Sequence, residues 1–169
     1  LDENQGEIQT ADGKSTIPVF KKPRASNYVK IYIHGGVCYI DPDKIPKGKD
    51  TLGKFRVIIP RTGNPEGTIL GTPKICEPNA CISNSYVIFM PNTDMTYDNA
   101  LNALKYISTK FCRFLISLKS STQDKAPRVY EFVPMQDFSR PWTDAVLYEK
   151  YNLTQKEIDF IESMIKPME

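Results

Sequence analysis

The sequence predicts a mixed α/β (α+β) domain with a mostly antiparallel, twisted sheet, one long helix and a C-terminal helical pair. Three observations predict it: runs of β-branched and aromatic residues between turns, a long helical pattern in the second half, and two short helical patterns at the end. The chain of 169 residues is long enough to build a core of its own.

The strands are predicted from composition and turn residues. Residues 1–27 are polar and interrupted by glycine and proline, which predicts a linker or docking arm. A β-hairpin follows, with strands over 28–33 and 37–40 around the turn His34-Gly35-Gly36. A turn and a basic loop occupy 41–49. Further strands are predicted at residues 55–60, 69–70, 74–76, 85–90 and 128–134.

The long helix is predicted over residues 97–118. Apolar side chains recur there at helical spacing from Tyr97 to Leu118, which defines one buried face. Asp94 or Thr96 is expected to cap its N-terminus, since both side chains can accept a backbone N–H.

The end of the chain predicts two short helices. Thr143 and Asp144 begin the first, which runs through Tyr151. The second begins with a capping box, because the side chains of Thr154 and Glu157 can each bond the other's backbone N–H. We expect the pair to seal the last strand.

Composition limits the class of protein. A net charge of +2 and an isoelectric point near 8.3 are far from the strongly basic signature of a dedicated nucleic-acid binder, yet permit a local basic face. The sequence has neither a secretory signal nor an apolar run of membrane-spanning length. Reduced thiols in a cytoplasmic protein are the expectation for the four cysteines, Cys38, Cys76, Cys81 and Cys112.

Motifs for catalysis are missing from the sequence. Asp41-Pro42-Asp43 lacks the second proline and the aromatic residue of a methyltransferase motif, and no Lys-Ser/Thr follows residues 63–67 to make a phosphate-binding loop. His34 has no paired nucleophile, and Cys76 and Cys81 lack further metal ligands. The chain itself is therefore expected to be non-catalytic and without a metal or cofactor.

Two polar loops, 61–67 and 120–128, carry side chains suited to DNA. Arginine reads guanine edges and asparagine or glutamine reads adenine edges in the major groove. The candidates for base contacts are Arg61, Thr62, Asn64 and Gln123. The candidates for phosphate contacts are Lys47, Lys49, Lys119, Lys125 and Arg128. For any single residue the alternative is a solvated loop side chain, whereas loop 61–67 as a whole favours function.

Four blocks resemble a known family. They are "KFRVIIPRTGNPEGTILGTPKICEPN" (54–79), "SNSYVIFM" (83–90), "ALKYISTKFCRFLISLKSSTQD" (100–124) and "RVYEFVPMQDFSRPWTDAVLYEKYNLTQKEIDFIESMI" (128–165). They resemble the C-terminal target recognition domain of large bacterial adenine-specific DNA methyltransferases, including type IIG restriction-modification enzymes. The resemblance covers about residues 28–169, and the last block is its most specific part.

The resemblance implies a domain of a longer enzyme. A catalytic methyltransferase domain with bound S-adenosyl-methionine would lie upstream and flip the target adenine, in some members beside an endonuclease. This chain would then be a linker or arm (1–27), a recognition core (28–138) and a helical cap (139–169), with double-stranded DNA as its partner. Base-contacting positions vary with the target in that family, so the resemblance implies a scaffold and no target sequence.

A protein-interaction domain is the alternative from a different class. The terminal helices would dock the catalytic domain of the same chain or a partner subunit. Trp142, Tyr148 and Tyr151 would be the anchors, because aromatic side chains dominate such contacts. The two functions are compatible, with the loops on DNA and the tail on protein.

Overall fold

The computed structural model describes residues 4–10, 13–64, 66–89 and 94–168. It confirms the predicted mixed α+β fold, with strands in two sheets and helices concentrated in the second half. The chain divides into two compact units. Residues 1–55 and 76–86 form the first, and residues 56–75 and 87–169 form the second. This division differs from the predicted boundaries at 28, 138 and 139.

The first unit is built on a five-stranded sheet of order β1-β2-β4-β3-β7. Its strands are β1 (Gln5–Gln9), β2 (Thr16–Phe20), β3 (Val29–Ile33), β4 (Gly36–Ile40) and β7 (Ala80–Ile82). All neighbours are antiparallel except β3 and β7, which run parallel. The predicted hairpin is confirmed, and Gly35 takes the left-handed conformation that its turn requires, with φ 78°.

One face of this sheet forms the core of the first unit. Strand alternation places Ile17 and Val19 of β2 on that face with Ile31 of β3 and Cys81 of β7, and all four are buried. Residues 1–27 were predicted as a linker or docking arm, and the linker is wrong for the part described, because β1 and β2 lie within it. Its polar and proline-containing composition hid a two-strand ladder, because β1 has a single apolar side chain, that of Ile8.

The second unit holds the other sheet, of order β6-β5-β8. Its strands are β5 (Arg56–Pro60), β6 (Lys74–Cys76) and β8 (Tyr86–Phe89); Cys76 and Tyr86, at strand ends, belong to the first unit. Val57, Ile58 and Ile59 of the central strand β5 have no exposed surface. A continuous apolar run is typical of such a strand, as predicted. Met90 lies outside the described residues.

The predicted long helix is two helices, α1 (Tyr97–Ser108) and α2 (Lys110–Ser117). Thr109 has an extended backbone (ψ 152°), and its side chain accepts the N–H of Cys112, so it ends one helix and caps the next. Asp144 strengthens the break, because its carboxylate accepts the N–H groups of Lys110 and Phe111. The predicted apolar face is also wrong at its ends, since Tyr97 and Leu118 are exposed.

The C-terminal helical pair is confirmed as α3 (Asp144–Lys150) and α4 (Gln155–Met164). Thr143 caps α3, and Thr154 with Glu157 forms the predicted capping box. Both helices pack against α2. None of the helices in the described residues is long and apolar enough to cross a membrane.

Two predicted strands are absent from the described residues. Residues 69–70 form a tight turn in which Ile69 adopts φ 68°. Residues 128–134 contain a 3₁₀ helix, Pro127–Tyr130, in place of a strand. Alternating apolar residues there indicated a strand, but Pro127 at the first helical position and the packing of Val129 and Tyr130 select the tighter turn.

A buried arginine joins three segments of the second unit. The guanidinium of Arg113 is 2% exposed and donates only to backbone carbonyls in the contacts described. Its Nε bonds the oxygens of Ser108 and Thr109 at 2.9 and 3.3 Å, which are C-terminal acceptors of α1. Its Nη1 bonds the oxygens of Thr68 and Lys166 at 3.1 and 2.7 Å. Burial lowers the pKa of this guanidinium.

Candidate nucleic-acid interface

Two loops of the second unit, distant in sequence, are bonded side by side. The N–H of Gly63 donates to the oxygen of Gln123 at 2.9 Å, and the N–H of Lys125 donates to the oxygen of Arg61 at 2.7 Å. Thr62 and Asp124 form the antiparallel bridge between these two bonds. We call residues 61–64 and 122–125 the loop pair. It brings the four predicted base-contact residues onto two adjacent backbone segments.

An ion pair orients Arg61 within the loop pair. Its Nε and Nη2 donate to the two oxygens of Asp124 at 2.8 and 3.3 Å. Both side chains are nearly half exposed. The hydrogen bond from Arg61 is the main cause that lowers the pKa of Asp124. This contact occupies the side edge of the guanidinium and leaves its Nη1/Nη2 end, two parallel N–H donors, for another acceptor.

Lys125 stabilises the loop pair from inside, so the prediction that it contacts phosphate is wrong. The side chain is fully buried. Its ammonium donates to the hydroxyl of Ser120 and to the oxygen of Thr122, the latter at 2.6 Å. Burial is the main cause that lowers its pKa. Sequence reasoning treated this lysine as an exposed loop cation, because no pattern of residues indicates that its aliphatic chain fills the space beside Gly63.

The other base-contact candidates differ in what they present. Thr62 and Gln123 are exposed, and Gln123 joins the loop pair only through its backbone oxygen. Asn64 is exposed too, but its Oδ1 accepts the N–H of Glu66 at 3.1 Å. A bidentate contact with adenine needs that oxygen and the amide nitrogen together. Arg61 and Gln123 are therefore the side chains most suited to read bases. Pro65 lies outside the described residues.

The phosphate candidates lie in both units. Lys119 bonds Glu131 at 2.6 Å and lies over the ring of Phe132, 4.8 Å from its centroid. Arg128 is exposed on the 3₁₀ helix. Lys47 and Lys49 are exposed in the first unit, where Lys49 begins a short 3₁₀ helix, Lys49–Thr51. Of the predicted phosphate contacts, Lys119 and Arg128 are exposed and lie close to the loop pair in sequence.

The aromatic anchors proposed for protein docking are mainly structural. Trp142 is 2% exposed and donates its Nε1 hydrogen to the oxygen of Asp137 at 2.7 Å. Tyr148 is 8% exposed and bonds Glu162. Tyr151 is more exposed, but its ring stacks on Phe111 with centroids 5.1 Å apart. The first two are therefore corrected to core residues that hold the helical pair.

The segment that carries the most specific resemblance is also structural. Gln136 donates to the hydroxyl of Tyr151 at 2.8 Å and accepts a bond from the ammonium of Lys150. Tyr106 donates its hydroxyl to the oxygen of Pro134. These bonds fix residues 134–137 against α1 and α3. The "PMQDF" run thus defines a scaffold.

An apolar groove lies between α2 and α4. It has a volume of about 710 Å³ and is lined by Phe111, Phe114, Leu115, Leu153, Phe160 and Ile161. Phe160 is 55% exposed, and its ring meets that of Phe114 edge to face. Lys156 and Asp159 lie on the polar rim. Sequence reasoning missed this groove, because the helical pair was expected only to seal the last strand.

Side chains that could bind a metal ion are dispersed over the described residues. Within the described residues, no three or more His, Cys, Asp or Glu side chains lie together as a metal site would require. The four cysteines are free thiols, and burial raises the pKa of Cys112 to about 12.

The chain was compared with known proteins at three levels. No protein-family model, no curated protein and no solved structure matches it.

Proposed function

We propose that this chain is a DNA target recognition domain, the specificity part of an adenine-N6 methyltransferase of a bacterial restriction-modification system. The four blocks that resemble such enzymes support this assignment. The loop pair gives further support. Its two segments carry base-reading side chains and are hydrogen-bonded to each other, and Asp124 of one segment binds Arg61 of the other through both carboxylate oxygens. The domain would work in the cytoplasm with a catalytic domain that binds S-adenosyl-methionine.

The mechanism is positioning. Asp124 holds the guanidinium of Arg61 so that its free end can donate two parallel hydrogen bonds to the O6 and N7 of a guanine. Gln123 contributes a second polar contact from the adjoining loop. Exposed cations such as Arg128 and Lys119 neutralise phosphates and set the register on the duplex. Specificity then depends on how rigidly the two loops are joined.

Selection of duplexes from a randomised DNA pool tests this proposal. We expect the chain to enrich one sequence, and Arg61→Ala to relax selection at one base pair, a guanine, at a cost of about 1–3 kcal/mol. Arg128→Ala should weaken binding to all duplexes alike. It should also reduce the slope of log affinity against log salt by the amount expected for about one phosphate contact. Sequencing of the bound pools and anisotropy titrations at several salt concentrations measure both effects.

The control is Lys105→Ala, which removes an exposed cation from α1 far in sequence from both loops. It should change neither the selected sequence nor the affinity. If the wild-type chain enriches no sequence, or if Arg61→Ala selects the same duplexes as the wild type, the assignment to base reading is wrong.

A second candidate function, protein docking, is favoured by the groove between α2 and α4. Its occupant would be an apolar side chain of the catalytic methyltransferase domain, with Phe160 at the contact. This candidate replaces the buried anchors Trp142 and Tyr148. DNA recognition through the loop pair does not depend on it.

A variant at Phe160 tests the docking candidate. Phe160→Ser should reduce association with the separately purified methyltransferase domain by about tenfold or more, as the loss of an interface anchor does. Duplex selection by the chain should stay unchanged. Lys156→Ser, on the rim of the same groove, is the matched control and should retain association. Equal binding by the Phe160→Ser and wild-type chains in titration calorimetry would rule the groove out.

A further inference from the structure

The outer face of the five-stranded sheet in the first unit combines aromatic rings with positive charge. In-register neighbours share a face of a sheet, so Tyr39 lies beside Phe20 of β2 and Lys30 of β3. Tyr32 is on the same face, two residues from Lys30. The opposite face carries Ile31, which is buried in the core. We call this aromatic side of β2, β3 and β4 the outer sheet face.

Charge on this part of the chain has one sign. Residues 13–40, which contain β2, β3 and β4 with their connections, include no aspartate or glutamate. The cationic side chains of this range are Lys14, Lys21, Lys22, Arg24 and Lys30. The near-neutral composition of the whole chain conceals this local excess. The carboxylates beside this face come from other strands and connections, Glu7 in register with Pro18 and Glu77 paired with Lys30. The cations of residues 13–40 outnumber them, which favours an anionic partner.

The ring of Tyr32 is held in a fixed position. The hydroxyl of Tyr32 donates to Glu77 at 2.5 Å, and the same carboxylate pairs with Lys30. Tyr86 meets the Tyr32 ring edge to face, with centroids 6.4 Å apart. Preordered rings lose little entropy when a planar ligand stacks on them. Glu77 is thus a positioning residue that fixes a tyrosine and a cation together.

A cation also covers the edge of this face. The exposed guanidinium of Arg24 lies 4.3 Å from the ring centroid of Phe20. Tyr28 packs beside that ring at 5.9 Å. Lys21 and Lys22 are exposed in the same connection between β2 and β3. This connection therefore carries a cation stacked on an aromatic ring and two further exposed cations.

We propose that the outer sheet face binds unpaired nucleotides. Tyr39 and Tyr32 stack with bases, while Lys21, Lys22 and Arg24 contact the phosphates. This combination of sequence-tolerant stacking and cations along the backbone is what single-stranded nucleic acid requires, whereas the bases of an intact duplex are closed to stacking. The proposal does not rest on the proposed function, because it uses the other unit and a different form of DNA.

Anisotropy titration with a fluorescent oligothymidylate of about 12 nucleotides tests it on the full chain. We expect salt-dependent binding that Tyr39→Leu weakens about tenfold and that Tyr39→Phe retains, because the ring and not the hydroxyl stacks. The double variant Lys21→Gln/Lys22→Gln should lower the slope of log affinity against log salt by about 1.4. Being exposed, these two lysines can be replaced without loss of fold.

Two controls separate this site from the loop pair. Arg61→Ala and the pair Lys105→Gln/Lys156→Gln should leave oligothymidylate binding unchanged. If the oligothymidylate does not bind, or if Tyr39→Leu binds it as tightly as Tyr39→Phe, the stacking site is disproved. Tighter binding of a blunt duplex, with the same response to Lys21→Gln/Lys22→Gln, would also overturn the proposal. None of these outcomes changes the test of duplex selection by the loop pair.

Discussion

Arg113→Met is expected to destabilise the second unit by about 3 kcal/mol or more. Methionine replaces only the aliphatic part of arginine, and it offers no donor to the carbonyls of Thr68, Ser108, Thr109 and Lys166. The oxygens of Thr68, Ser108 and Lys166 would lose this donor together, whereas the oxygen of Thr109 keeps the backbone N–H of residue 113. Urea unfolding followed by the fluorescence of the single tryptophan, which is buried in this unit, measures the effect.

Lys105→Met is the matched control, because it replaces a cation by the same side chain on the exposed surface of α1. Its free energy of unfolding should stay within about 0.5 kcal/mol of the wild-type value. A loss of similar size in both variants, or none in Arg113→Met, would show that the carbonyl contacts contribute little.

Gly63→Ala is expected to disrupt the loop pair. A β-carbon at this position would overlap the oxygen of Ile69 and lie 2.7 Å from Cε of the buried Lys125. Neither can retreat easily, since Ile69 already has a left-handed backbone and Lys125 is enclosed. We expect a loss of about 1–3 kcal/mol in stability and the loss of duplex selection. Unfolding and selection from the randomised pool measure the two effects on the same sample.

Gly53→Ala provides the comparison for this glycine. No heavy atom lies within 4 Å of the β-carbon that it would add. It should leave both stability and duplex selection near the wild-type values. Retained selection in Gly63→Ala would instead mean that the exact spacing of the two loops does not matter for DNA.

The sequence predicted the elements whose signal is local. The hairpin around Gly35, the buried strand β5 and the capping box at Thr154 each depend on residues within a few positions. The break at Thr109 was missed because the apolar spacing continues across it. The first two donors of the second helix find their acceptor in a carboxylate brought from α3, that of Asp144, which no local pattern reports.

The candidate site, too, was predictable only where its signal is local. Arg61 and Gln123 were found from residue type and loop composition alone. Their adjacency was not predictable, since Arg61 and Asp124 are 63 positions apart in the chain. The interior position of Lys125 follows from the packing of Gly63, which no local pattern reports. The outer sheet face did have a signal, the absence of carboxylates from 13–40, but it was averaged away in the net charge.

The interleaving of the two units restricts how this protein can be dissected. The chain leaves the first unit after Phe55, returns at Cys76 and leaves again after Tyr86. A ribosome therefore releases β5 before β7, the strand that completes the five-stranded sheet. No single cut separates the two units, because the fragment 1–86 keeps residues 56–75 with the first unit and the fragment 56–169 keeps residues 76–86 with the second.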